Sequence, residues 1–223
     1  MKQSDSLLLI GNKNCKETVF FAKCLGADFL SAPELPKVSD GTGDYDWHWS
    51  EALEQWREKN CSDKTYKKIV VAIWQQNLSA RSLVDTNFDD WVHRCEVPIA
   101  WWTVALGCAQ SVCYDGGAVV AIIEQPAVLD AENWTPEVAV AEAVVGLIKS
   151  LALSDVRRDI SFNAVTTSMR MSSEIKLADS QSLLSSSIGR LADEVVGVVK
   201  LFLDDNASGL TGKVLNVDYG RRM

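Results

Sequence analysis

Ile69-Val70-Val71-Ala72-Ile73-Trp74 is a run of six apolar residues with no polar alternation. That texture is expected of a strand covered on both faces, as in a parallel sheet sandwiched between helices. Shorter runs of the same kind lie on either side: Leu7–Ile10, Ala27–Ser31, Ala118–Ile123, Ile160–Val165 and Lys213–Asp218. Between them the spacing predicts helices over about Cys15–Leu25, Trp47–Glu58, Phe88–Cys95, Pro98–Cys113, Pro136–Leu153 and Ala192–Leu203. Pro98 and Pro136 suit helix starts, where the missing N–H costs nothing. Pro33–Tyr45, with its prolines and glycines, reads as a loop, and Gly116-Gly117 as the turn into Ala118–Ile123. The polar, serine-rich stretch Ser172–Ser187 is expected to be a mobile loop or lid. Strands alternating with helices in this order make a single doubly wound α/β domain with a mainly parallel sheet, spanning residues 1–223.

Composition narrows the function classes. The net charge of −8 disfavours phosphate backbones and anionic lipid, so neither nucleic acid nor membrane is an expected partner. The apolar runs are strand-sized, too short to cross a bilayer. Met1–Ser6 leads straight into the first strand without a signal-like apolar segment, so a cytoplasmic location is expected. The cysteines at 15, 24, 61, 95, 108 and 113 form no Cys-x-x-Cys, and His48 and His93 are the two histidines. No metal is expected, and the thiols read as small buried hydrophobes. Eight tryptophans are unusual for this length; core packing is their default role, and interface anchoring the alternative.

Three segments resemble the short-chain dehydrogenase/reductase superfamily. Ala143-Val144-Val145-Gly146-Leu147-Ile148-Lys149-Ser150-Leu151-Ala152 is similar to the helix that carries the family's Tyr-x-x-x-Lys motif. Asp159-Ile160-Ser161-Phe162-Asn163-Ala164-Val165 resembles the following strand, with its Asn-x-Val ending. Ala207-Ser208-Gly209-Leu210-Thr211-Gly212 through Asn216-Val217-Asp218-Tyr219-Gly220 resembles the closing Thr-Gly and Val-Asp-Gly-Gly stretch. Phe88-Asp89-Asp90-Trp91 fits the start of the helix leading to the family's active-site asparagine. The resemblance implies a Rossmann-like fold of short-chain dehydrogenase type.

The chemistry-bearing positions depart from the family. Its Gly-x-x-x-Gly-x-Gly loop lets backbone approach a pyrophosphate at a helix N-terminus. Aligned on Gly11, this chain carries Cys15 and Glu17 at the second and third glycines, and Glu17 adds a carboxylate where a diphosphate would lie. The Asn-Asn-Ala-Gly segment is represented by Gln75-Gln76-Asn77-Leu78. Counting back from Leu151-Ala152 puts Glu137 at the catalytic tyrosine, Ala141 at the lysine, Glu124 at the serine, thirteen residues before Glu137, and Pro98 at the asparagine. Glu124 and Glu137 could form a new acid–base pair. Beside Pro136, however, Glu137 is equally explained by the helix dipole.

The resemblance therefore implies a non-catalytic chain that binds no cofactor and supports an active dehydrogenase subunit holding NAD, in a heterotetramer. The long helices at about 99–113 and 137–153 would carry the interface, with Trp101, Trp102, Val140 and Val144 as expected contacts. Arg221 and Arg222 could reach an anionic acyl-CoA in the partner's pocket; a solvated tail is the simpler alternative. Two other classes stay open: a stand-alone small-molecule-binding or sensor protein using a cleft lined by Gln75, Gln76, Glu124 and Glu137, and an enzyme with rewired chemistry.

Overall fold

The computed structural model describes residues 3–33, 49–61, 65–74, 81–125, 133–167 and 191–217. Six strands, β1 (Gln3–Gly11), β2 (Asp28–Ser31), β3 (Thr65–Ala72), β4 (Cys113–Glu124), β5 (Ser161–Thr167) and β6 (Val214–Val217), form one sheet in the order β2-β1-β3-β4-β5-β6. Every neighbouring pair is parallel. The fold class read from the sequence is the one observed.

Successive strand side chains point to opposite faces, and here both faces are packed. Leu8, Ile10, Ile69, Val71, Val119, Ala121, Ile123, Phe162 and Ala164 join one core cluster. Their immediate neighbours Leu9, Val70, Ala72, Val120, Ile122 and Val165 join another. The first cluster is covered by α2 (Trp49–Asn60), α4 (Val97–Val112) and α5 (Thr135–Ser154). The second is covered by α1 (Lys16–Leu25) and α6 (Leu191–Phe202). Gly26 ends α1 at φ 64°, and its N–H returns to the carbonyls of Ala22 and Lys23.

Beside the parallel pairing of β5 with β6, one buried side chain ties β5 to the segment that leads into β6. Asn163, fully buried, donates from Nδ2 to the Leu210 carbonyl (2.7 Å) and accepts from the Lys213 N–H at Oδ1 (3.0 Å). Thr211 Oγ1 accepts from the Phe162 N–H (3.1 Å), and the Gly212 N–H donates to the Phe162 carbonyl (2.7 Å). The Asn-x-Val and Thr-Gly stretches noted in the sequence are two halves of this clamp.

Three readings need correction. The helices expected at Phe88–Cys95 and Pro98–Cys113 run together: α3 (Phe88–Trp91) passes through a π turn, Val92–Glu96, into α4. The Val97 N–H bonds to the Val92 carbonyl, five residues back, one position before Pro98. The wider turn suits a proline, whose ring excludes the carbonyl four residues behind it in an α-helix. Second, β4 begins at Cys113, and Gly116-Gly117 form a bulge inside it, between the pairs Tyr66↔Cys113 and Lys68↔Ala118. Gly116 takes φ 79° there. Third, Trp101, Trp102 and Val144 are buried within this chain's own core at 9%, 3% and 0% exposure. Packing against the sheet uses the surface that a partner contact would need. Val140 is half-buried. Arg221, Arg222 and Ser172–Ser187 lie outside the described residues.

Among the described residues no His, Cys, Asp or Glu group is arranged to hold a metal, and no helix is long and apolar enough to cross a membrane. Burial pushes the Cys113 thiol up to about 12, and raises Cys108 as well. A raised thiol stays protonated in the fold, while the unfolded chain ionises from about pH 8.5. The stability it contributes is therefore complete below that pH and lost as pH rises towards 12. Urea midpoints are expected to fall steadily above about pH 9, and Cys113→Ala to flatten that slope. Asn163→Leu strands the Leu210 carbonyl and the Lys213 N–H, and is expected to cost about 2–4 kcal/mol in urea unfolding at neutral pH.

Candidate functional site

In an open parallel sheet, ligands gather at the carboxyl ends of the strands, where the strand order reverses. Here that point lies between β1 and β3. β1 ends at Gly11, opposite Ala72 of β3 and Ser31 of β2. A Cβ on Gly11 would sit 2.3 Å from Thr18 Cγ2 and 2.7 Å from the Ala72 carbonyl, so α1, β1 and β3 meet too closely for any side chain.

The loop beyond Gly11 is tied to the protein itself. Asn12 Oδ1 accepts the Trp74 N–H (2.8 Å), and the Asn12 carbonyl accepts the Cys15 N–H (3.1 Å). Cys15 precedes α1 in extended backbone, makes no side-chain cap, and is buried; its Sγ donates to Glu17 Oε2 at 3.3 Å. Desolvation raises the Cys15 thiol, with Thr18 opposing. Glu17 sits in the first turn of α1, where a carboxylate interacts favourably with the helix dipole. The Trp74 indole, 4% exposed, packs on Phe21 of α1 with ring centroids 5.9 Å apart. Sequence reading placed Trp74 at the end of a strand and missed this role.

A second centre lies where the π turn meets α5. Arg94, 8% exposed, donates from Nε to Glu137 Oε1 at 2.7 Å. Its guanidinium carbon lies 5.8 Å from the ring centroid of Trp134, just before α5. Glu137 is thus held by a cation rather than explained by the helix dipole alone. A pair of glutamates sharing a proton is not what its bonding shows. Ala141, one helical turn on, is buried at 1% exposure in the core. Glu124 is the last residue of β4, opposite Thr167. Gln125 follows it, buried, donating to Glu142 Oε1 at 2.6 Å. Pro98 is buried in the first turn of α4. Gln75-Gln76-Asn77-Leu78 lie outside the described residues. Arg94 and Trp134 were not singled out in the sequence; an arginine between His93 and Cys95 carries no local sign of burial.

The whole chain superimposes on solved short-chain dehydrogenase/reductase structures. Against the enzyme of that description from Serratia marcescens the TM-score is 0.69 over 99% of both chains, with 19% identity. A short chain dehydrogenase family protein from Francisella tularensis gives 0.72 over 98% of this chain and 99% of the other, at 13% identity. A blue fluorescent protein from a metagenomic library, solved in complex with NADPH, gives 0.67 over 98% of each chain, at 16% identity. The fold is that of the short-chain dehydrogenases/reductases. In sequence, the chain is 26% identical over 111 residues to the short-chain dehydrogenase/reductase family member NovK of Streptomyces niveus, which is 50% of this chain and 45% of NovK. The match thus covers less than half the length of that relative. No family model matches the chain.

Removing one member of a buried ion pair strands the other charge. Arg94→Met is expected to cost about 3–5 kcal/mol in urea unfolding. Arg94→Met combined with Glu137→Leu is expected to recover most of that loss.

Proposed function

We propose that this chain is a member of the short-chain dehydrogenase/reductase superfamily that has given up its own chemistry and serves as a non-catalytic subunit beside an active homologue. The observation that carries the reading is the Arg94–Glu137 pair with Ala141 beyond it. In the family that the chain resembles, a tyrosine whose pKa is lowered by a lysine four residues on transfers the proton; the resemblance puts at those positions a glutamate paired with an arginine and a buried methyl group.

The residues around α1 do not suit a dinucleotide. A pyrophosphate at that helix N-terminus would face the Glu17 carboxylate, and the Asn12 side chain is engaged by the Trp74 backbone. NAD is accordingly assigned to the partner subunit and not to this chain. The combination of losses resembles the non-catalytic subunit of 2-(α-hydroxybenzyl)succinyl-CoA dehydrogenase of anaerobic toluene degradation. On that resemblance the active partner would oxidise a β-hydroxyacyl-CoA, and the assembly would be a cytoplasmic heterotetramer. α5 supports an interface role: Val138, Ala139, Val140, Ala143 and Val145 stay half-buried on it after the sheet is covered. An isologous contact of this kind can persist after one copy loses its active site.

A second reading, a stand-alone protein that binds a small molecule in the altered cleft, is favoured by the buried polar groups of Arg94 and Glu137. Native mass spectrometry of the chain, purified gently from its source cells, separates the two. A heteromer with a similar-sized subunit carrying the Gly-rich loop and Tyr-x-x-x-Lys is expected. A homo-oligomer or monomer without such a partner would overturn the subunit reading, and turnover of a hydroxy substrate by the isolated chain would overturn both.

A further inference from the structure

The Arg94–Glu137 pair is incompletely bonded. Nε of Arg94 meets Oε1 of Glu137, but Arg94 Nη2 and Glu137 Oε2 are both buried and have no hydrogen-bond partner. Nη2 lies on the same edge of the guanidinium as Nε, so a bidentate fork would have used all four atoms. Leaving a buried donor or acceptor unmet is costly, so such a pair in a native fold calls for a group that completes it.

Three elements bring these atoms together. The π turn over Val92–Glu96, a type of turn common at functional sites, carries Arg94. Trp134 sets its ring against the guanidinium. The first turn of α5, a helix of 20 residues beyond the carboxyl end of β4, carries Glu137.

Charge selects what fits. The pair is neutral as a whole, with one buried nitrogen, Nη2, and one buried oxygen, Oε2, left without partners. A ligand carboxylate would satisfy Nη2 but oppose Glu137, and an ammonium would satisfy Oε2 but oppose Arg94. A neutral group that accepts and donates from adjacent atoms satisfies both.

We propose that Arg94, Trp134 and Glu137 form a binding site for a neutral planar amide, whose oxygen accepts from Nη2 while its N–H donates to Oε2. This deepens the small-molecule reading of the cleft and needs no partner subunit, so its test is independent of the oligomeric state.

The test is a titration of the folded chain with propionamide, propionate and propylamine, followed through the indole N–H resonance of Trp134, assigned with Trp134→Phe. Propionamide is expected to give a saturable shift at a concentration at least tenfold below either charged analogue. The Arg94→Met/Glu137→Leu variant, shown to be folded by its own spectrum, is expected to lose the saturable shift. Absence of saturation in the unaltered chain, equal response to all three probes, or binding that survives in the double variant would overturn the assignment. The open atoms would then hold a buried water or close into a second hydrogen bond.

Discussion

Each central strand of this sheet presents alternate residues to two different hydrophobic layers, and neither layer is open to water. In β3, Ile69 and Val71 pack under α2, α4 and α5, while Val70 and Ala72 pack under α1 and α6. Much of the remaining architecture follows from that. The central strands are apolar over Ile69–Ala72 and Ala118–Ile123, and a polar side chain buried inside the sheet, such as Asn163, must have its bonds met. The layers approach closely at Gly11, where backbone of β3 and the Thr18 side chain of α1 exclude any side chain. Packing alone therefore requires a glycine at position 11.

Among the described residues near the carboxyl ends of the strands, two groups of side chains bond to each other. Asn12, Trp74 and Phe21 knit the β1 loop to β3 and α1. Arg94, Trp134 and Glu137 knit the π turn to α5. A dinucleotide-dependent dehydrogenase site needs open backbone N–H groups for phosphate, and titratable side chains free to exchange a proton.

What the sequence made legible follows the same division. Strands buried on both faces announce themselves by unbroken β-branched runs, so Ile69–Trp74 and Ala118–Ile123 were located without the structure, and Asn163 with Thr211-Gly212 was visible as a pair of motifs. The Gly116-Gly117 bulge was read as a turn, since a glycine pair has the same local signature in either setting. Trp101, Trp102 and Val144 were read outward because α4 and α5 are apolar on more than one side, and the side facing the sheet is decided by tertiary contact. Arg94 was invisible for a stronger reason: its partner lies 43 positions away, and the π turn that carries it has no sequence mark beyond the nearby Pro98.

The central proposal is that the carboxyl ends of β1 and β3 do not hold a dinucleotide in this chain. Equilibrium dialysis of the isolated, folded chain against NADH at about 1 mM, the upper end of usual enzyme KM values, tests it most directly. The account expects no saturable binding. Binding of one NADH per chain, competed by NAD, would contradict it and return the chain to the cofactor-dependent members of the fold.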